Sequence, residues 1–178
     1  MPATIHTLKV TLRDVSPPVW RLLEVPSEMT LGELSDVLVT AMGWQGYHLH
    51  AFTVGGTIYW PTSNDDWFDD REDETRHRLG DVLPRGRMTM EWEYDMGDSW
   101  AHDIVVQAVA PADPGAYLPR CIDGSGACPP EDCGGVWGYA DLVVAVDDAG
   151  HPRHGEAVEI LGESYDPSYF RLPERRRG

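Results

Sequence analysis

The chain has 178 residues, 42% of them hydrophobic and 10% aromatic, which suits one globular domain with a sizeable core and excludes a largely disordered protein. Its 30 acidic and 14 basic residues give a formal net charge of −16, so neither nucleic acid nor an anionic membrane is expected as a partner. We interpret the arginines at 175–177 as a solvated tail.

The N-terminal segment predicts two strands followed by a helix. Apolar and polar residues alternate over 6–13, which is the period of a half-buried strand, and 19–25 is a second apolar run. Thr30 and Glu33 have the spacing of a capping box, in which each side chain satisfies an exposed amide of the first helical turn. A helix is therefore predicted from Thr30 to a stop at Gly43.

A tight hairpin is predicted next, because Gly55-Gly56 separates two strand-like runs at 48–54 and 57–60. The stretch 64–74 that follows is strongly acidic and lacks the alternating ligand pattern of a calcium loop. A cation site or a partner-binding surface there is an alternative, but an exposed, solvated loop is favoured.

The clearest strand signal covers 87–94, where large apolar residues alternate strictly with polar ones. A turn at 95–98 leads to a second strand over 100–106, whose apolar residues also share one face. Together they predict an antiparallel hairpin with one face in water.

The C-terminal third predicts a loop and two helices. Residues 111–135 are rich in Cys, Pro and Gly and indicate an ordered loop, whereas 139–146 and 156–161 indicate helices. Because the order is not a repeating βαβ pattern, the prediction is an α+β fold: a mostly antiparallel sheet with an early helix and C-terminal helices. Neither a repeat nor a linker interrupts the chain, so one domain over 1–178 is expected.

The three cysteines of that loop, Cys121, Cys128 and Cys133, form the first candidate site. Zinc binds thiolates well, and a closed tetrahedral site needs a fourth ligand. His102 is the first choice for it and His50 the second, since both lie on apolar strand faces. The alternative is three half-buried free thiols without a metal, and both interpretations stay open. Zinc is the cofactor that the sequence suggests.

Polar side chains in and near the strands form a second candidate site. Its members are His48, Asp95, Asp98 and Trp100. An imidazole on an apolar face needs a carbonyl, a carboxylate or a metal as its partner. The two aspartates flanking Gly97 could orient a histidine or bind a metal, but Asp and Gly are also ordinary turn residues, and the turn is favoured.

The sequence lacks the motifs of several other classes of protein. It contains no phosphate-binding glycine loop, no dinucleotide fingerprint, no GxSxG elbow and no HExxH motif. No secretory leader is recognised at the start, and no stretch is apolar enough to cross a bilayer. A cytoplasmic location is therefore expected.

Five segments carry a resemblance to a known family. They are SPPVWRLLEVP, AMGWQGYHLHAF, YDMGDSWAHDI, CPPEDCGGVWGY and YDPSYF, in this order. They resemble the plasmid pRiA4b ORF-3-like family over about 4–170. The resemblance implies an α+β cytoplasmic protein of bacteria or archaea, and some members carry a mobile-element (transposon-associated or resolvase-like) label. Met96 replaces the family's usual Phe, and Ser35 stands where a histidine is expected, which weakens any mechanism needing a histidine on the first helix.

The preferred functional hypothesis is a binding or adaptor module stabilised by a Cys-rich, zinc-binding loop. An alternative is a metal-dependent hydrolase that uses His48, His50 and His102, with Asp98, around an open metal position. A DNA-acting protein is another, although the charge is unfavourable and no nucleophilic serine with an arginine cluster is found. The negative charge also suits an acidic partner of a basic protein.

Overall fold

The computed structural model describes residues 2–62 and 70–173. Its strands are β1 (Thr4–Leu12), β2 (Trp20–Pro26), β3 (His50–Val54), β4 (Thr57–Trp60), β5 (Glu72–Asp73), β6 (Thr89–Tyr94), β7 (Trp100–Pro111) and β8 (Arg120–Ser125). Its helices are α1 (Leu31–Met42), α2 (Leu79–Val82), α3 (Gly135–Asp147) and α4 (His154–Leu161), with a 3-10 turn over Glu74–Arg76. No helix within these two ranges combines the length and apolarity that a bilayer crossing requires.

The strands form one sheet in the order β5-β4-β3-β6-β7-β1-β2-β8. Every neighbouring pair is antiparallel except β4 and β5. Three of the pairs are hairpins of consecutive strands, whereas β1 lies between β7 and β2 and joins the two halves of the sheet. The predicted α+β fold with a mostly antiparallel sheet is therefore confirmed.

Successive side chains of a strand point to opposite faces of the sheet. The apolar ones share one face here, and that face is buried. The buried positions of the two central strands are Met90, Trp92, Tyr94, Trp100, His102, Ile104 and Val106. The apolar side of α1 belongs to the same core cluster, so the helix covers this face. Thr30 and Glu33 make both hydrogen bonds of the predicted capping box, which fixes where α1 begins.

The predicted loop over 111–135 contains a strand, β8, which pairs with β2 at the edge of the sheet. The segment RCIDGS lacks the alternation that marks the other strands, and the pairing shifts register between Leu22 and Leu23. Its strand conformation comes from the partner strand and not from its own sequence, so the local pattern could not predict it.

The acidic stretch 64–74 differs in part from the predicted exposed loop. Residues 63–69 and 174–178, which include the arginine tail, lie outside the described residues. Glu72 and Asp73 pair in parallel with β4, and Glu74 is only 4% exposed. The Glu74 carboxylate can be buried because its Oε2 lies 2.7 Å from His50 Nε2.

Both C-terminal helices begin earlier than predicted. The helix predicted over 139–146 is α3, which starts at Gly135, and the helix predicted over 156–161 is α4, which starts at His154. Gly135 has a positive φ of 69°, and a Cβ there would lie 2.5 Å from the Asp98 carbonyl oxygen. The start of α3 is therefore packed tightly against the turn between β6 and β7.

Candidate functional site

Three segments that are distant in the chain meet where β6 ends and β3 and β7 begin. They are 44–50 after α1, 95–99 between β6 and β7, and 128–135 before α3. The Gln45 backbone N–H donates to Glu131 Oε2 at 2.9 Å and joins the first segment to the third. We call this meeting point the acidic corner, because four carboxylates lie in it.

The loop before α3 is fastened at both of its ends. Near its start, Trp44 Nε1–H donates to the Pro129 carbonyl at 2.9 Å. Near its end, the Gly134 backbone N–H donates to Asp98 Oδ2 at 3.3 Å. Asp98, one of the predicted site residues, therefore positions this loop against the turn between β6 and β7.

An aromatic pair supports the corner from the core side. The Trp44 ring stacks on Tyr94 with centroids 4.8 Å apart and planes 13° apart. The Tyr94 hydroxyl donates to Glu131 Oε1. Burial and this carboxylate raise the pKa of Tyr94, so its hydroxyl stays a donor near neutral pH.

His48, Asp95 and Asp132 present one ligand atom each to a common point. His48 Nε2 lies 2.8 Å from Asp132 Oδ1 and 3.5 Å from Asp95 Oδ2. All three atoms lie within 4.8 Å of one another, and among residues 2–62 and 70–173 this is the one such group of His, Cys, Asp or Glu. The exposed fraction is 10% for the Asp95 side chain and 57% for Asp132, so one side of the group faces solvent.

The contacts of His48 are close but are not hydrogen bonds. Nε2 is buried, and no acceptor or donor meets hydrogen-bond geometry at it, even though two carboxylate oxygens are near. Two ligands bound to one ion at about 2.1 Å would stand about 3.0 to 3.4 Å apart. The two observed distances lie close to this range, so the arrangement suits a metal ion between the three groups.

Each of the two carboxylates is oriented by its second oxygen. Asp132 Oδ2 accepts from the Tyr47 hydroxyl at 2.9 Å, and this hydrogen bond is the main reason that the pKa of Tyr47 rises to about 12. Asp95 Oδ1 accepts from the backbone N–H of Gly97 at 2.9 Å and of Asp98 at 3.3 Å. The other oxygen of each carboxylate is left to face His48, which is how outer hydrogen bonds direct metal ligands.

Both carboxylates stand on left-handed backbone, with φ of 63° at Asp95 and 57° at Asp132. Only a few per cent of residues other than glycine adopt this conformation, and aspartate does so more readily than most. Both residues place a carboxylate oxygen within 3.5 Å of His48 Nε2.

His102 and Trp100, two predicted site residues, are sealed in the core at 0% exposure. His102 Nδ1 lies 3.1 Å from the Trp92 carbonyl, so Nδ1 carries the proton and Nε2 has no partner among the described residues. Burial lowers the pKa of His102 to about 4, and the Trp92 carbonyl opposes this shift only in part. His102 is therefore neutral and shielded from any ion in the solvent.

The structure separates the three histidines that the hydrolase hypothesis combined. His50 is on β3 and His102 on β7, with β6 between them, and the carboxylate partner of His50 is Glu74. His48 precedes β3 and faces the acidic corner. Within the described part of the chain these three side chains form no common group.

The three thiols each have a local environment of their own. Cys121 Sγ donates to the Asp123 carbonyl at 3.2 Å and Cys128 Sγ to the Pro129 carbonyl at 3.4 Å, while Cys133 is 8% exposed. Burial raises the pKa of all three and brings that of Cys133 to about 11. Across 2–62 and 70–173 they form no group of three or more ligands with His50 or His102, and the zinc site stays a prediction.

Sequence reasoning placed His48 and Asp95 in a candidate site but assigned no site role to Asp132, Glu131 or Tyr47. Glu131 and Asp132 lie between two cysteines in the segment CPPEDC. The available signal was the pair of adjacent acids in a Pro- and Gly-rich loop, where a fixed backbone can hold a carboxylate in place. His48, which lies beside Asp132 in the structure, is 84 residues earlier in the chain, so no local spacing linked the two.

Comparisons by sequence and by structure both find known proteins that are similar over nearly the whole chain. The sequence profile of the plasmid pRiA4b ORF-3-like proteins matches residues 4–174. An uncharacterized protein of Sinorhizobium fredii (strain NBRC 101917 / NGR234), y4hQ, is 38% identical over 168 residues, which cover 93% of this chain and 86% of the relative. The crystal structure of MM3350 from Methanosarcina mazei Go1, a protein of unknown function, superposes with a TM-score of 0.85 at 28% identity and covers 97% of both chains.

Proposed function

The chain belongs to the plasmid pRiA4b ORF-3-like family, and we propose that it is a binding module whose acidic corner holds a divalent metal ion. The ligands in this proposal are His48, Asp95 and Asp132. The observation that carries it is the pair of contacts at His48 Nε2, which are short enough for shared coordination and are not hydrogen bonds.

The donor set narrows the choice of metal. One imidazole nitrogen and two carboxylate oxygens suit Mn²⁺ or Zn²⁺ better than Ca²⁺, which prefers oxygen ligands alone. Glu131 and Asp98 add negative charge near the site without serving as ligands. A divalent cation would therefore lower the repulsion among the carboxylates of the acidic corner.

The ion would also have a structural consequence. It would tie the loop before α3, through Asp132, to the turn after β6, through Asp95. Three protein ligands leave further coordination positions on the side where Asp132 is exposed. A donor group of a binding partner can complete the coordination there, which makes the ion part of the binding surface.

A charged imidazole between two carboxylates is the competing explanation. An imidazolium would donate an N–H to one of the oxygens along its own axis. The absence of hydrogen-bond geometry at Nε2 favours a shared ion over that arrangement.

A metal-dependent hydrolase is the second candidate, because the exposure of Asp132 favours an open coordination position for water. It would use His48 with Asp95 and Asp132, and not the set of His48, His50 and His102 that the sequence suggests. Turnover of generic phosphate and carboxylate ester substrates by the metal-loaded protein, and its loss in Asp132→Asn, would support this candidate over a binding module.

Calorimetric titration of protein purified without a metal-affinity tag and treated with EDTA tests the metal proposal. We expect one Mn²⁺ or Zn²⁺ per chain, and at least about a tenfold weaker affinity in Asp132→Asn, because one ligand is lost. Asp113→Asn, an exposed aspartate in another loop, is the matched control and should bind as the parent does.

The same titration separates the acidic corner from the thiols. A Cys121→Ser, Cys133→Ser variant should keep its affinity if the corner binds the ion. Loss of binding in that variant, with Asp132→Asn unaffected, would move the site to the cysteines. Binding of less than about a tenth of an equivalent by the parent protein would overturn both assignments.

A further inference from the structure

A cleft of about 1260 Å³ lies between α1, β8 and the C-terminal segment 169–173. Its walls include Val37, Met42, Ile122 and Phe170. Apolar walls and a volume at or above the usual 300–1,000 Å³ of ligand sites are typical of a pocket for a small organic molecule. None of the proposed metal ligands lines this cleft.

Arg21 of β2 lies in the wall of the cleft and is 5% exposed. Its guanidinium donates four hydrogen bonds, all of them to backbone carbonyls. The acceptors are Ala41 at 3.2 Å, Trp20 at 2.8 Å, Ser125 at 2.9 Å and Gly126 at 3.0 Å. A guanidinium has five N–H groups, so one donor on Nη2 has no partner in this set.

No carboxylate of the described residues lies within 4.0 Å of the Arg21 guanidinium. The Phe170 ring lies 4.4 Å from its central carbon and offers a weak cation–π contact. Carbonyl dipoles and one ring solvate the charge but do not neutralise it, and a buried charge without a counter-charge is costly. Burial accordingly lowers the pKa of Arg21.

The two thiols in the cleft wall, Cys121 and Cys128, do not supply the missing negative charge. Burial raises the pKa of both, and the nearby guanidinium opposes this shift only in part. Both thiols are therefore neutral near pH 7.

The charged residues that line the cleft are mostly basic, whereas the chain as a whole is acidic. Its charged lining residues are Arg21, Arg120, Arg171 and Asp36, in a protein whose formal net charge is −16. Glu24 already neutralises Arg120, with Nη2 and Oε2 2.5 Å apart. Arg21 has no such carboxylate among the residues that the structure describes, and it marks where an anionic group would be most stabilised.

We propose that this cleft binds a small amphipathic carboxylate, with its apolar body between α1 and the C-terminal segment and its carboxylate against Arg21. The ligand's charge would complete the ion pair that the described residues leave incomplete. A hydrogen bond to a charged partner is among the stronger polar contacts, and here it would form in a place shielded from water. The proposal is independent of the metal ion at the acidic corner.

Three probes with the same ten-carbon chain test the proposal in calorimetric titrations below their micelle concentrations. They are sodium decanoate, decan-1-ol and decyltrimethylammonium. We expect saturable binding of one decanoate per chain, at least about tenfold tighter than decanol, and no binding of the cation. Equal affinity for decanoate and decanol, or no saturable binding of decanoate, would overturn the proposal.

Two variants test whether decanoate binds in this cleft. Arg21→Gln should bind decanoate at least about tenfold more weakly, provided that circular dichroism shows a native fold. Thr40→Trp puts a large ring into the cleft from an exposed position of α1 and should weaken binding to a similar extent without disturbing the core. Val144→Trp, at an exposed position of α3 outside the cleft, is its control, and equal binding by the two tryptophan variants would refute the location.

Discussion

At the scale of single residues, the acidic corner depends on two kinds of group. Some side chains would bind the metal, and other groups orient those side chains by hydrogen bonds. Tyr47 and the backbone of Gly97 each occupy one oxygen of a carboxylate, so the opposite oxygen faces His48. Tyr47 is 62% exposed, so its hydroxyl adds little to the core. Its removal therefore tests orientation separately from folding.

Tyr47→Phe should weaken metal binding by about tenfold or more while leaving the stability of the metal-free protein almost unchanged. The variant removes only the hydroxyl that donates to Asp132 Oδ2. Titration calorimetry gives the affinity, and urea unfolding in EDTA gives the stability. Tyr117→Phe, at a tyrosine 88% exposed in another loop, is the matched control. Identical affinities for the two variants would contradict a positioning role.

His102 makes the stability of the fold depend on pH. Its pKa is about 4 in the folded protein and 6.5 in the unfolded chain, because burial disfavours the charged ring. Below pH 6.5 the unfolded state binds more protons, so stability falls as the pH falls, by about 1.4 kcal/mol per pH unit down to about pH 4. His6 is also buried with a lowered pKa and acts in the same direction.

Urea unfolding at pH 6.5 and pH 5 measures this contribution. In His102→Asn the amide can still donate to the Trp92 carbonyl but does not titrate. We expect the parent protein to lose about 2 kcal/mol more than the variant over this interval. Parallel losses in the two proteins would show that His102 does not titrate as its burial implies.

At the scale of secondary structure, close backbone contacts decide which elements pack together. The start of α3 lies so near the preceding loop that a Cβ at Gly138 would be 2.2 Å from the Cys133 carbonyl oxygen. In α4, by contrast, a Cβ at Gly155 would meet nothing within 4 Å. Glycine can therefore be replaced by alanine in both helices, at a tightly packed position in α3 and at an open position in α4.

Gly138→Ala should destabilise the protein by about 2 kcal/mol or more, because the helix or the loop must shift to remove the clash. Gly155→Ala should be neutral or stabilising by up to about 1 kcal/mol, since alanine is the better helix former and no clash opposes it. Denaturant unfolding of both variants measures the difference. A stable Gly138→Ala protein would mean that α3 and the loop are not packed so closely.

At the scale of the whole molecule, the negative charge opposes the compact state. Ion pairs such as Arg13 with Asp103 at 2.5 Å and with Glu91 at 2.8 Å counteract it locally, but they are partly exposed and contribute little each. The excess of 16 negative charges at neutral pH is far larger than these pairs can offset. Salt should therefore reduce repulsion more than it weakens the pairs.

Raising NaCl from about 20 mM to about 500 mM should increase the unfolding midpoint by a few degrees, because the Debye length falls from roughly 20 Å to roughly 4 Å. Thermal unfolding followed by circular dichroism, in EDTA to exclude metal binding, measures the shift. KCl at the same ionic strength should give the same result. A midpoint that falls with salt would indicate that specific ion pairs outweigh the net repulsion.

Elements with local signals could be predicted from the sequence alone. The alternation over 87–94 and 100–106 predicted the central hairpin, and Thr30 with Glu33 predicted where α1 begins, since both depend on neighbours a few residues away. The family could also be identified from the sequence, because its motifs are short contiguous segments.

Only the folded structure shows which polar residues meet. His48 and Asp132 are 84 residues apart, and only the crossing of three loops brings them to 2.8 Å. The pairing of β8 with β2 and the burial of His102 likewise depend on neighbours from distant parts of the chain. Side-chain chemistry can be read from a sequence, but the distance between two side chains is fixed by the packing of the whole fold.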